Sequence, residues 1–170
     1  MRSFLIGVLT VSMVLGLVCV AYSIHEIIPS ETQIAEPGPD AEKLNEYIVR
    51  YKPYTSWQLW PGKGRLYKAA AHGALLTTFV NDAAYYSIKE KKGMADGSLI
   101  VKEGYTEDKK FTGIVVMYKI KGYNPGGGDW FWAKYSPEGK VLASGKVEAC
   151  IKCHAEKKDN DFVWTGEVKK

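Results

Sequence analysis

Cysteine and histidine are scarce in this chain, with three residues of each among 170. Cys150, Cys153 and His154 stand together near the C-terminus, whereas Cys19 and His25 lie in or beside an N-terminal apolar run. A structural zinc ion takes four ligands, most often Cys and His. Too few of these residues remain to complete a zinc site around the C-terminal group, so we exclude that class of metal centre.

An excess of charge of one sign is also lacking. Lys and Arg number 23 against 19 Asp and Glu, which gives a formal net charge of +4. The lysines are scattered among the acidic residues rather than concentrated in a basic patch, and we therefore predict no nucleic-acid partner. The sequence has neither an internal repeat nor a low-complexity tract. Its length and its 46% hydrophobic content suit one well-buried domain.

The C-terminal group has the sequence Cys-Ile-Lys-Cys-His at residues 150–154. This Cys-x-x-Cys-His spacing is the one at which a c-type haem is attached. One helical turn places both sulfurs along one edge of the haem and lets the histidine reach the iron from the same side. We predict one covalently attached haem c, with Cys150 and Cys153 as attachment points and His154 as the iron ligand.

A thioredoxin-like redox pair is the alternative for the two cysteines, but it would sit early in a βαβ unit. Here Cys150 and Cys153 follow every strand-like segment of the chain. If they carry haem, no pair of cysteines remains for a disulfide, and the cofactor is the covalent link of the domain.

The residues after His154 contain no Met, His or Cys. We therefore expect a vacant sixth position on the iron, with His72, Met94 and Met117 as the upstream alternatives. A five-coordinate iron binds small ligands or performs chemistry, whereas a six-coordinate iron mainly transfers electrons.

Near the N-terminus, Arg2 is followed by an apolar run of nineteen residues at 4–22. This length lies between that of a cleavable signal and that of a spanning helix. We predict a signal peptide or membrane anchor at 1–23, a Pro-containing linker at 24–39 and a haem domain at 40–170. The protein is expected to be periplasmic or otherwise extracytoplasmic, with or without an N-terminal anchor.

The haem domain is predicted to be mainly β, in the α+β class. Asp40 can cap a short amphipathic helix that ends before Pro53, and residues 57–64 form an ordered loop with two tryptophans. A second helix is predicted at 82–89. Short turns join five predicted strands at 74–80, 98–103, 114–120, 130–135 and 141–144. These elements predict an antiparallel β-sheet meander with a few short helices and a C-terminal haem-attachment helix.

Several short blocks, taken in order, resemble the cytochrome P-460 family over about residues 44–166. The blocks are Trp60-Pro61-Gly62-Lys63-Gly64, His72-Gly73, Val80-Asn81-Asp82-Ala83, Asp96-Gly97-Ser98-Leu99-Ile100-Val101-Lys102-Glu103, Met117-Tyr118-Lys119, Gly128-Asp129-Trp130-Phe131-Trp132-Ala133-Lys134-Tyr135 and the haem motif. The resemblance implies a mostly antiparallel β fold, usually a homodimer, with one c-type haem whose iron is five-coordinate. Enzymatic members oxidise hydroxylamine with a lysine bonded to the haem ring. The related β-sheet cytochromes c-prime lack that bond and bind nitric oxide or carbon monoxide.

Lys102 matches the position of the lysine that forms this bond. With period two it shares a strand face with Ile100, which favours an inward course, and an exposed strand lysine is the alternative. The hydroxylamine-oxidising members are expected to carry a distal carboxylate on the strand corresponding to residues 111–119, and no Asp or Glu occurs there. His72 is then the nearest replacement as a base, unless it is a structural imidazole.

Two main functions follow, and the sequence does not decide between them. The first is an exported haem oxidoreductase that acts on hydroxylamine or a related nitrogen compound and passes electrons to a redox partner. The second is a nitric-oxide-binding protein without turnover. Electron transfer is a third and weaker interpretation.

Overall fold

The computed structural model of the chain describes residues 35–169. The predicted signal or anchor at 1–23 lies outside these residues, as does the predicted linker apart from its last five residues. No helix among residues 35–169 is both long enough and apolar enough to cross a bilayer.

The described residues form three short α-helices, seven β-strands and several single helical turns. The α-helices are α1 (Ala41–Glu46), α2 (Asp82–Glu90) and α3 (Glu148–His154). The strands are β1 (Gln58–Leu59), β2 (Tyr67–Lys68), β3 (Leu75–Val80), β4 (Leu99–Tyr105), β5 (Phe111–Lys119), β6 (Trp130–Tyr135) and β7 (Val141–Gly145). A π-helical turn covers Tyr47–Tyr51, and 3₁₀ turns cover Tyr54–Ser56, Pro125–Gly127 and Ala155–Asn160.

All seven strands belong to one antiparallel sheet. Strands β3 to β7 lie side by side in chain order, while β1 and β2 both pair with the free side of β3. Every pairing is antiparallel, so short connections suffice between neighbours. The predicted mainly β, α+β class and the antiparallel meander are therefore confirmed.

The five predicted strands correspond to β3 through β7, and the predicted helix at 82–89 corresponds to α2. Strands β1 and β2 were not predicted, because two residues are too few to show an alternating pattern. Residues 57–64, predicted as an ordered loop, therefore begin with a strand. Trp60 in this segment is buried, as expected for an aromatic core residue.

The sheet has two different faces, because neighbouring residues of a strand point to opposite sides. One face packs against α1 and the π-helical turn, where Leu44 and Ile48 meet Phe79 and Val101. The other face carries a second cluster, in which Trp132 packs with apolar residues of α2, the attachment helix α3 and the C-terminal segment. The predicted haem-attachment helix thus lies against the second face.

Side-chain caps mark the starts of α1 and α2. The carboxylate of Asp40 accepts a hydrogen bond from the Lys43 amide at 3.0 Å, as predicted for the first helix. The Asn81 side chain accepts from the amides of Ala84 and Leu99, at 3.0 and 2.9 Å. Asn81 therefore ties the start of α2 to the start of β4, the strand that carries Lys102.

The packing on the face of the sheet opposite the cysteines can be tested by mutation. Ile48 is 0% exposed and its neighbour Val49 is 54% exposed. Ile48→Ala should lower the free energy of unfolding by about 2–5 kcal/mol, because it removes buried methyl groups and leaves a cavity. Val49→Ala, the matched control, should change it by no more than about 0.5 kcal/mol. Denaturant titration measures both, and equal effects would contradict this packing.

Candidate functional site

Helix α3 brings the three residues of the attachment motif onto one turn. Cys150 is half-buried, Cys153 is exposed, and both thiols are free. His154, the last residue of the helix, is 3% exposed. The helix therefore presents two free thiols beside a buried imidazole, as the spacing predicts.

One ring nitrogen of His154 is already bonded to the protein. Its Nδ1 lies 2.6 Å from the carbonyl oxygen of Phe162 and donates a hydrogen to it. This bond fixes the tautomer and leaves Nε2 for a metal ion. The indole of Trp132 meets the imidazole edge to face, with 4.5 Å between ring centroids. The ring of His154 is thus held in position by a backbone acceptor and an aromatic wall.

The charge state of His154 also suits metal binding. Burial lowers the pKa of the imidazole to about 4, although the bond to Phe162 acts in the opposite direction and the ammonium of Lys102 in the same one. A histidine must be neutral to bind a metal ion. His154 is neutral at physiological pH.

Two cavities adjoin the attachment helix, with volumes of about 360 and 370 Å³. His72, Lys102, Cys153 and His154 line both of them. Volumes of this size are typical of sites for small molecules and cofactors. The residues predicted for the site therefore surround a common space.

Lys102 lies in the middle of the sheet on the face of the cavity. In the strand register it is opposite Thr78 of β3 and Val115 of β5, and its side chain is 7% exposed. Burial lowers the pKa of its amine to about 8, while Cys153 acts in the opposite direction. The expected inward course is observed, and the alternative of an exposed strand lysine is wrong.

The neighbouring Glu103 is directed away from this cavity. Its carboxylate accepts hydrogen bonds from the hydroxyls of Tyr54 at 3.0 Å and Tyr105 at 2.7 Å, on the face packed against α1. Among the described residues that line the two cavities, none is Asp or Glu. Glu103 of β4 therefore does not take the place of the carboxylate that residues 111–119 lack. The charged side chains in the two walls are all lysines, namely Lys63, Lys68, Lys102 and Lys134.

His72 lies in the cavity wall on a constrained piece of backbone. Its φ of 66° is in the left-handed region, and the next residue, Gly73, has φ 142°. A Cβ on Gly104 would come within 2.2 Å of the His72 carbonyl oxygen, so only glycine fits beneath this bend. The rings of His72 and His154 have their centroids 6.3 Å apart. Surrounding protein lowers the pKa of His72 to about 4, and Lys102 acts in the same direction, although the residue keeps solvent contact.

The other two upstream ligand alternatives are placed differently. Met117 lines the cavity and pairs in register with Trp132, the residue that packs on His154. Met94 is buried in the same apolar cluster but is not among the residues that line the cavities. Of the three alternative ligands, His72 is the one whose ring lies beside the imidazole of His154.

The sequence interpretation missed two groups of this site. The Phe162 acceptor is a main-chain carbonyl, and no residue type announces it. Trp132 could have been found, because alternation along β6 places it on the same face of the sheet as Lys134, and both residues line the cavity.

Two free thiols on the same helical turn as a buried, neutral histidine with an available Nε2 define the donor set of a c-type haem protein. Here that set is built on one face of an antiparallel sheet. The profile of the family described as Cytochrome P460 matches residues 52–165, well over half of the chain. The chain belongs to the cytochrome P460 family, as the series of sequence blocks indicated. No curated protein sequence matches it.

The iron in the resting protein is predicted to be five-coordinate and high-spin. Residues 155–170 contain no Met, His or Cys, Met117 belongs to the wall beside Trp132, and His72 is solvent-exposed. Electron paramagnetic resonance of the ferric protein measures the spin state. His72→Ala and Met117→Leu should leave it high-spin. A low-spin wild type that becomes high-spin in either variant would show that this residue closes the sixth position.

Proposed function

We propose that the protein is an exported mono-haem cytochrome that oxidises hydroxylamine or a related small nitrogen compound. The observation that carries this proposal is the burial of Lys102 in the same cavity walls as Cys153 and His154. Bound haem would supply a redox-active iron with an open position for the nitrogen compound. Family membership supports the haem, and the position of Lys102 supports the enzymatic branch of the family.

In this proposal each residue has a separate task. Cys150 and Cys153 would attach the haem, and His154 would bind the iron through Nε2 while the Phe162 carbonyl holds the orientation of the imidazole. Lys102 would be the residue bonded to the haem ring. Its amine titrates with a pKa of about 8 because of burial, so the nitrogen lone pair is accessible near neutral pH.

Oxidation of hydroxylamine releases protons and electrons, which need acceptors. Since no carboxylate among the described residues lines the cavities, the neutral imidazole of His72 is the base that the cavity wall offers for a proton, and its pKa of about 4 makes it a weak one. The electrons would pass to a redox partner. We also propose an extracytoplasmic location, following the apolar segment at 1–23, and a homodimer, as the resemblance implies.

The second candidate function is binding of nitric oxide or carbon monoxide without turnover. The described residues that line the two cavities include no Asp or Glu. This favours gas binding, because a bound diatomic gas needs no proton acceptor. The apolar side chains Ile100, Val115 and Met117 also give the cavity a surface suited to an uncharged gas. The two functions differ in whether Lys102 alters the haem.

Covalent attachment is tested by denaturing electrophoresis with haem staining. The wild-type band should stain, and the double variant Cys150→Ser/Cys153→Ser should not, because both thioether bonds are lost. Lys152→Ala changes a variable position of the same motif and should stain like the wild type. Extraction of haem from the wild type by acid and organic solvent would refute covalent attachment.

The role of Lys102 is tested by Lys102→Met, which leaves an unbranched side chain of nearly the same length in the buried site and removes the amine. The expected result is an ordinary c-type absorption spectrum and loss of hydroxylamine oxidation, with both thioether attachments intact by peptide mass mapping. Lys134→Met, the control, removes an exposed charge from the same cavity wall and should keep the wild-type spectrum. If wild type and Lys102→Met share one spectrum and bind nitric oxide alike, the gas-binding function is correct.

A further inference from the structure

The carbonyl that accepts the His154 hydrogen bond lies in a strained turn. Asp161 and Phe162 are consecutive residues with φ values of 56° and 63°, in the left-handed region that non-glycine residues rarely adopt. Such a conformation costs about 1–3 kcal/mol per residue and persists only where the surroundings impose it. The direction of the Phe162 carbonyl therefore depends on what holds this turn.

A partly buried ion pair holds the first residue of the turn. Lys119, at the end of β5, donates from Nζ to Asp161 Oδ1 at 2.6 Å, and both side chains are 14% exposed. The same ammonium donates to the Gly128 carbonyl at 2.8 Å. The second carboxylate oxygen of Asp161 accepts from the Met94 amide at 2.7 Å. An ion pair that is shielded from water and bonded on both sides fixes geometry far better than an exposed pair.

Two further contacts fix the rest of the turn. The indole Nε1 of Trp130 donates to the main-chain carbonyl of Asp161 at 2.9 Å. The ring of Phe162 packs on Gly128, where a Cβ would come within 2.4 Å of the ring. Carboxylate, peptide and aromatic ring are thus each held by β5, β6 or the loop between them.

We propose that the Lys119–Asp161 ion pair positions His154. By holding the turn, the ion pair sets the strength of the hydrogen bond from His154 Nδ1 to the Phe162 carbonyl. A strong bond at Nδ1 increases the electron density at Nε2, and a metal-bound histidine is tuned in this way by its outer partner. The proposal depends on His154 as the iron ligand. It does not depend on which nitrogen compound the protein binds.

Two charge-removing variants separate positioning from simple electrostatics. Lys119→Met removes a positive charge and Asp161→Asn removes a negative one, so a purely Coulombic effect would shift the reduction potential of the haem in opposite directions. Loosening of the turn weakens the Nδ1 bond in both variants. Positioning therefore predicts a rise of the potential in both, together with a lower iron–histidine stretching frequency in the resonance Raman spectrum of the ferrous protein.

Lys121→Met is the matched control, because Lys121 is exposed close to Lys119 in sequence and its loss gives the same change in net charge. It should leave the stretching frequency of the holoprotein unchanged. Lys119→Arg keeps the charge and should retain the wild-type frequency. If Lys119→Met does not fold, Asp161→Asn and Lys119→Arg decide the question. An unchanged stretching frequency in the folded charge-removing variants, or potential shifts of opposite sign in the two, would overturn the proposal. Loss of haem attachment in the wild type would instead contradict the haem assignment itself.

Discussion

The hydrogen bond between His154 and the Phe162 carbonyl is the interaction on which the site depends. It determines which nitrogen of the buried imidazole faces the cavity, and it joins the attachment helix to the chain that follows it. A neutral imidazole has one donor and one acceptor nitrogen, so a donor fixed at Nδ1 leaves the lone pair at Nε2. The fold supplies the acceptor through a turn that would not be stable by itself.

The two faces of the sheet have different surroundings. The face covered by α1 and the π-helical turn carries one apolar cluster and the hydrogen-bonded carboxylate of Glu103. The opposite face carries a second apolar cluster with α2, α3 and the C-terminal segment, and a cavity lies on this face beside the cysteines. Because alternation assigns neighbouring residues to different faces, Lys102 and Glu103 have opposite surroundings although they are adjacent in the chain.

Much of this organisation could be predicted from the sequence. Alternating apolar runs separated by Gly-containing turns predicted β3 to β7, and the Cys-x-x-Cys-His spacing predicted which residues of α3 share one turn. The same alternation favoured an inward course for Lys102, since Ile100 on the same side is apolar, but it left an exposed lysine as the alternative until the structure showed burial. The two-residue strands carried no period and were missed. The acceptor at Phe162 was also missed, because a main-chain carbonyl depends on the path of the backbone and not on the residue type.

The burial of Lys102 separates the requirements of folding from those of function. Burial lowers the pKa of this amine from 10.5 to about 8. At pH 7 this shift corresponds to a cost of about 3 kcal/mol, because the charged form is less stable in the folded protein than in the unfolded chain. The cost falls as the pH rises from about 8 towards 10.5. Over this range the folded lysine is already neutral, and the unfolded lysine gradually loses its proton as well.

A methionine or leucine at this position would fill a similar volume without that cost. Folding alone therefore gives no reason for an amine beside Cys153 and His154. A gas-binding cavity gives none either, since an uncharged diatomic ligand needs apolar walls and an open metal position. In our proposal a chemical use of the amine against haem would account for its burial, and for this reason we propose the enzymatic function first.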